Sequence, residues 1–514
     1  MALPAQRVET VSADRTFFGH PRGLSTLFFT EMWERFSYYG MRAFLIFYMT
    51  ASVASGGMGL STATAAAVYG SYTSLVYLMC VPGGWMADRV LGQRKAVLYG
   101  GILIAFGHYS LAVPSDPTFY LGLALVVLGT GLLKPNISVI VGQLYDARDM
   151  RRDAGFSIFY MGINLGAFLG PLVAGFLAQD LRFRAVLEGW GLNPNSAWHW
   201  GFGAAGVGMT LGVIQYLLTS RHLGSAGVEP GGATSAALAA KFKRQAALWA
   251  GGTIALLVLV GLAAAAGVIN LQPTTIRDVT AYSLLIITIV FFATLFLDRA
   301  WTREERGRLW MMFVFFVAAA IFWSVFEQAG STLNLFADRS TRNQFIGFSF
   351  PSSWFQSLNA LFIITFAPIF AWMWVRLGTR QPTSPVKFSI GLVGVGLGFV
   401  LLVPAAMQAA SGGLISPLWL TAAYLIHTFA ELCLSPVGLS SMTKLAPPRI
   451  VGSMMGVWFL GASIGNFLAG QMASFYEQMP LQHLFGAVSV LPIAAGIIML
   501  LLATRFNRMM GGVR

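Results

Sequence analysis

The chain has 514 residues, 56% of them Ala, Val, Ile, Leu, Met, Phe, Trp, Tyr or Cys and only 10% charged. A soluble domain carries about 25% charged residues, so these polar groups could not cover a globular surface, and a water-soluble protein is excluded. The formal net charge of +13 is of the kind that accompanies nucleic-acid binding, but the positions of the cations give it another meaning.

Apolar windows between polar breaks predict fourteen transmembrane helices, at 24–50, 62–87, 95–113, 118–144, 155–178, 198–219, 246–268, 280–297, 309–331, 354–376, 386–408, 414–443, 451–474 and 483–504. Such windows match the roughly 20 residues that cross a bilayer. Their recurrence along the whole chain excludes a soluble enzyme with one anchor. The residues before the first window, among them Arg7, Glu9, Asp14 and Arg15, lack the pattern of a cleavable signal peptide. Cys80 and Cys433 each fall inside an apolar window, so neither a disulfide framework nor a metal site is expected.

With the N-terminus placed in the cytoplasm, 25 of the 33 Lys and Arg residues fall on the cytoplasmic side. They include Arg148, Arg151, Arg152, Lys241, Lys243, Arg244 and Arg514. Five lie opposite (Arg182, Arg184, Arg277, Arg339 and Arg342), and three, Arg35, Arg42 and Lys134, lie inside helices. This is the positive-inside pattern, so both termini are expected in the cytoplasm and no nucleic-acid partner is implied. Leu132-Leu133-Lys134-Pro135 resembles Cys433-Leu434-Ser435-Pro436, and Gly162-Ile163-Asn164-Leu165-Gly166 resembles Gly461-Ala462-Ser463-Ile464-Gly465, at offsets of 301 and 299. The repeat predicts a six-helix bundle over 1–221, a second over 308–514, and a cytoplasmic linker with an inserted helix pair over 222–307. The Gly- and Ser-rich stretch 222–240 reads as flexible. Parallel halves with a site at their interface are a transporter plan.

Glu31, Glu34, Arg35, Tyr38 and Arg42 fall on one stripe of the first helix. Charges in spans are costly and face a wet cavity or each other. Lys134, Glu327 and Glu431 are the other ionisable residues well inside spans. At about 1.5 Å of rise per residue, Lys134 and Glu431 lie at equal depth in the inner half, and Arg42 and Glu327 at equal depth nearer the outside. Arg42 with Glu327 is therefore expected to form an outer gate pair, and Lys134 with Glu431 an inner one, one breaking as the other forms. Four carboxylates against three cations leave one carboxylate that gains from a proton. The transported proton is expected in the Glu31, Glu34, Arg35 cluster or on Glu327; the sequence does not choose between them.

Gly84-x-x-x-Asp88-Arg89-x-x-Gly92-x-Arg94-Lys95, after the second helix, resembles the loop signature of the major facilitator superfamily. Within that superfamily, Glu31-x-x-Glu34-Arg35-Phe36, Gly129-Thr130-Gly131-x-x-Lys134-Pro135-Asn136, Phe159-Tyr160-x-x-Ile163-Asn164-x-Gly166 and Glu431-Leu432-x-Leu434-Ser435-Pro436-x-Gly438 resemble the proton-coupled oligopeptide transporter family. Phe322-Trp323 with Glu327-Gln328, Gln356-x-x-Asn359 and Trp458-Phe459 match as well. The resemblance runs from about Phe17 to Phe506, and the inserted pair is similar to that of bacterial members.

It implies an all-α membrane protein of the major facilitator fold in the cell (inner) membrane. The implied activity is a proton-coupled symport that imports di- and tripeptides without a cofactor. Arg35 and Lys134 would take the peptide carboxylate, and Asn164, Asn359 and Glu431 the amino end. Tyr38, Tyr39, Tyr77 and Arg42 would line one half of the pocket, and Trp323, Ser435, Trp458 and Phe459 the other. Gly84, Asp88, Arg89, Gly92, Arg94 and Lys95 read as an anchor of the cytoplasmic gate. No surface feature demands a protein partner, so a monomer is expected.

An intramembrane enzyme would need a nucleophile with a base or a metal cage, and the six His residues show no ligand spacing. His427, one turn from Glu431, reads either as a relay or as a packing histidine. A passive channel does not explain a cation-bearing half opposed to an acid-bearing half. A family member that moves another solute, such as nitrate, a glucoside or a peptide-like drug, is the alternative.

Overall fold

The computed structural model describes residues 14–146, 149–230, 236–267, 272–447 and 450–511; Arg7, Glu9, Arg148 and Arg514 lie outside them. A helix occupies each of the fourteen apolar windows. In chain order they are α1 (Gly23–Thr50), α2 (Thr62–Leu78), α3 (Gln93–Leu111), α4 (Asp116–Gln143), α5 (Arg152–Gln179), α6 (Ala197–Thr219) and α7 (Ala236–Ala265). There follow α8 (Pro273–Leu297), α9 (Arg303–Phe326), α10 (Gln356–Leu377), α11 (Ser384–Ala410), α12 (Leu418–Leu445), α13 (Val451–Ala473) and α14 (Leu481–Leu501). Among the described residues, ten helical stretches are long and apolar enough to cross a membrane. α1 is not one of the ten, because Glu31, Glu34, Arg35 and Arg42 dilute its apolar content.

Two windows that read as continuous are broken well inside their span, and a third, 483–504, only near its end, at Leu502. α2 is interrupted at Met79, resumes over Cys80–Met86 and widens into a π turn at Ala87–Leu91. α9 stops at Phe326, gives way to a tight turn over Glu327–Gly330, and restarts as a short helix over Thr332–Arg339. Hydropathy registers side chains and is blind to such changes in backbone hydrogen bonding, so neither interruption was visible in it. Two small elements were also unforeseen. A helix over Leu181–Gly189 is capped by Asp180, whose carboxylate accepts from the Arg182 N–H. A hairpin pairs Gln344–Phe345 with Phe348–Ser349.

Lipid is as apolar as a leucine side chain, so helices in a membrane gain by close backbone approach at small residues. α3 and α4 meet in this way: a Cβ added at Gly129 would lie 2.6 Å from the Gly100 carbonyl oxygen, and one at Gly107 would lie 2.8 Å from that of Gly122. A Cβ at Gly83 would fall on the Gly131 carbonyl. α5 crosses α1 with Gly162 against Phe28 and Gly166 against Met32 and Arg35. α13 crosses α9 with Gly461 against Phe316 and Gly465 against Ala320 and Trp323. The offset is 299 for each glycine and 288 for each of its partners, so one packing motif is used twice.

Packing sorts the chain into two compact units. One holds the chain up to Tyr39, Leu78–Gly170 and His199–Ile276; the other holds Gly40–Tyr77, Pro171–Trp198 and the chain from Arg277 onward. The division cuts α1 and α5 partway along their length.

Gly83→Ala is expected to destabilise the protein by about 1–3 kcal/mol, because only backbone atoms surround its Cβ position and they cannot rotate away. Gly84→Ala, with its nearest atom 3.9 Å away on Pro135, should cost under about 0.5 kcal/mol. Thermal unfolding of both variants in detergent checks the contrast.

Candidate functional site

In the first unit the charged stripe of α1 is enclosed by glycine-bearing helices. Gly166 of α5 lies against Arg35, and Gly212 of α6 lies close enough to Trp33 that an added Cβ would sit 2.8 Å away. Glu31, Glu34 and Arg35 are consequently buried, with Glu34 at 0% exposure. The Arg35 Nε lies 2.8 Å from Glu31 Oε1 and 2.5 Å from Glu34 Oε2. One guanidinium thus serves two carboxylates. Lys134 is half-buried on α4 in the same unit. The Arg35 guanidinium also lies 5.7 Å from the Tyr38 ring centroid, and Tyr38 packs edge-on to Tyr39. Asn164 is buried on α5 and donates to the Tyr160 carbonyl at 2.9 Å.

In the second unit the end of α1 carries Arg42, whose Nη2 donates to Glu327 Oε2. The structure thus brings together the two residues paired by depth. The Arg42 Nε donates to the Tyr69 hydroxyl at 2.5 Å. Glu327 opens the turn that follows α9, and a Cβ at Gly330 in that turn would fall on the Tyr69 hydroxyl. The Asn359 Nδ2 donates to Glu431 Oε2 at 2.9 Å and to Thr428 Oγ1 at 3.1 Å. Tyr77 and Phe459 have ring centroids 6.5 Å apart, and Trp323 packs edge-on to Phe326. Trp458 is buried, while Trp323, Ser435 and Phe459 are half-buried. The His427 Nε2 lies 3.1 Å from the Val395 carbonyl and its ring packs on Phe326 and Phe399, which is the packing arrangement.

The loop signature holds the start of the linker. The Arg94 Nε donates to the Ala226 carbonyl and its Nη2 to that of Gly224, both at 2.6 Å, and the Arg94 N–H donates to Gly227. Gly92 has φ +78°, and a Cβ there would lie 2.5 Å from the Val228 carbonyl. Residues 224–228, read from composition as part of a flexible linker, are therefore fastened. Asp88 accepts from Gln93 at 2.9 Å, and Arg89 lies 5.0 Å from the Phe242 ring centroid of α7. Gly84 is open, and Lys95 is exposed.

Hydropathy alone missed several polar contacts of the second unit. Tyr69 reads as an apolar residue, and its hydroxyl contact with Arg42 is invisible to that reading. Thr62 Oγ1 donates to Glu477 Oε1 at 2.6 Å, and the Arg339 Nη1 reaches the same oxygen at 2.5 Å. Ser463 Oγ donates to the Ser74 carbonyl at 2.8 Å. A Cβ at Gly70 would lie 2.7 Å from the Gly470 Cα. These contacts join α2 to the segments at α13.

Long apolar helices that cross at glycines around buried ion clusters describe a multi-pass membrane protein, and its relatives are transporters. The model of the POT family matches residues 94–491, and the chain belongs to that family. It is a multi-pass protein of the cell membrane. The chain is 40% identical over 515 residues to the peptide transporter YePEPT of Yersinia enterocolitica, covering 97% of each chain. It is 37% identical over 513 residues to a di-/tripeptide transporter of Lactococcus lactis subsp. cremoris, covering 98% of this chain and 99% of that one. A solved structure of a peptide transporter POT mutant in complex with alafosfalin superposes with a TM-score of 0.88 at 43% identity, over 100% of both chains.

The Thr62 hydroxyl and the Arg339 guanidinium hold the Glu477 carboxyl below its ordinary value of 4.5. The contact therefore contributes above that value and is lost as the pH falls through the lowered one. Because Glu477 is half-exposed, Glu477→Gln should cost under about 1 kcal/mol at neutral pH, and its difference from the parent should vanish in acid; melting curves across pH test this. Arg94→Ala should release the Gly224–Val228 segment, read as faster amide hydrogen exchange at Gly227 with little change in the helices.

Proposed function

We propose that the chain is a proton-coupled symporter that imports di- and tripeptides by alternating access. The supporting observation is the contrast between two sets of buried and half-buried side chains. One unit carries Arg35 and Lys134 with Glu31 and Glu34, and the other carries the Asn359–Glu431 pair. A short peptide is a zwitterion of about 3.3–3.6 Å per residue, and its two ends call for such opposite groups whatever its side chains are. Arg35 and Lys134 take the carboxylate; Asn164, Asn359 and Glu431 take the amino end. The aromatic residues Tyr38, Tyr39, Tyr77, Trp323, Trp458 and Phe459, with Ser435, accept varied side chains through apolar area. The names of the Yersinia and Lactococcus relatives support a peptide substrate.

The two six-helix bundles, 1–221 and 308–514, and the pair inserted at 222–307 cross the membrane fourteen times with both termini in the cytoplasm. The Arg42–Glu327 pair is the outer gate, with Lys134 and Glu431 as its inner counterparts. The proton is carried by Glu31 and Glu34 around Arg35, or by Glu327. With a net-neutral peptide, each proton carries one charge inward, worth about 2.3 kcal/mol per 100 mV.

Uptake of labelled di-alanine into proteoliposomes tests the proposal. Concentrative uptake is expected only with an inward proton gradient or a negative interior. Glu34→Gln and Lys134→Ala should each abolish it, with counterflow surviving in at least one. The absence of dipeptide flux from folded protein under any gradient would overturn the substrate assignment. For the gate, Arg42→Glu and Glu327→Arg should each lose at least about tenfold of the uptake, since each leaves buried like charges facing one another. The double swap should recover part of it; a double variant as inactive as the single ones would argue against the pair.

A further inference from the structure

Two ties join α1 to the interruption after α9, and they leave from neighbouring residues of α1. The Arg42 side chain donates to Glu327. The Ala43 carbonyl accepts from the Nδ2 of Asn334 at 2.7 Å. Asn334 has 0% exposure and lies on the short helix Thr332–Arg339. Its Oδ1 accepts from the Gln356 Nε2 at 3.3 Å, and the same amide donates to the Ala329 carbonyl in the turn. The Tyr424 hydroxyl donates to that carbonyl as well, at 3.3 Å. The start, middle and far side of the interruption are thus held in one circuit that closes through α1 at Arg42 and Ala43.

The two ties differ in chemistry. The first joins ions, and a proton on Glu327 removes one of its charges. The titratable groups around it are Arg42 from α1, Tyr69 from α2 through Arg42, and Glu431 and Tyr424 from α12. The second joins a neutral amide to a main-chain carbonyl, and no proton alters it. The Ala43 carbonyl lies inside α1, where the Phe47 N–H is its regular partner. It therefore stays satisfied when Asn334 leaves, and this tie is made and broken without orphaning backbone.

We propose that Asn334 is a positioning residue of the outer gate: a proton-insensitive second tie that keeps the gate shut when Glu327 takes up a proton with no peptide bound. The inference rests on the reading of Arg42–Glu327 as that gate and of Glu327 as the residue that takes the proton. After protonation α1 remains attached at Ala43, and the binding energy of a peptide is needed to part it. Without Asn334, protonation alone opens the gate, and the carrier cycles protons without cargo.

The test is proton entry into proteoliposomes loaded with a pH-sensitive dye, at negative interior and with no peptide present. Asn334→Ala should raise this peptide-free proton flux about fivefold, the equivalent of one hydrogen bond, while peptide counterflow survives. Glu327→Gln added to Asn334→Ala should abolish the extra flux. Folded Asn334→Ala protein with the parental leak would overturn the proposal, as would loss of counterflow together with an unchanged leak. If the alanine variant does not fold, Asn334→Ser carries the same expectations. The leak is read without peptide, so it stands whatever solute is carried, whereas failure of di-alanine uptake by the parent protein overturns only the substrate assignment.

Discussion

The constraint on which the rest depends is that α1 holds four charges in a helix surrounded by other helices. None can be left facing hydrocarbon. The solution is close packing: Gly166 on α5 and Gly212 on α6 bring neighbouring backbones against α1, and only glycine permits that distance. The burial that results forces each charge to find a partner. Arg35 is shared by Glu31 and Glu34, and Arg42 is matched by Glu327. The sharing sets two carboxylates against a single guanidinium, with Lys134 on α4 in the same unit. The packing and the chemistry are therefore one arrangement.

Much of this was legible in the chain. Apolar windows located the helices, because membrane helices must satisfy their own backbone and so appear as long unbroken apolar runs. Counting depth along α1 and α9 matched Arg42 with Glu327, since a helix converts residue number directly into height. What stayed hidden has a common cause. The interruptions at Met79 and after Phe326 change hydrogen bonding without changing composition, and the fastening of residues 224–228 by Arg94 is a contact across more than a hundred residues. The contacts of Asn334 and Tyr69 depend on which helices meet, and pattern along one helix cannot supply that. Asn334 does leave a trace, as a lone amide within Thr332-Leu333-Asn334-Leu335-Phe336.

The turn at Glu327–Gly330 shows how a break in a helix becomes useful. An ordinary helix would bury its carbonyls in its own ladder; here Ala329 offers one to Gln356 and Tyr424, two side chains from other helices. The acid at the start of the turn is thereby fixed by several elements rather than by one rotamer. Gly330 completes the arrangement by leaving room for the Tyr69 hydroxyl.

The duplicated glycine crossing carries a last implication. Gly166 rests on Arg35 in one copy, and Gly465 rests on Trp323 in the other. Equivalent points of a repeated scaffold thus hold a guanidinium and an indole. The crossing is alike in both places, and the residue beneath the glycine is what differs. The frame has no sense of head and tail; the decoration does. What sets the two places apart chemically is thus carried by side chains, while the backbone crossing repeats itself.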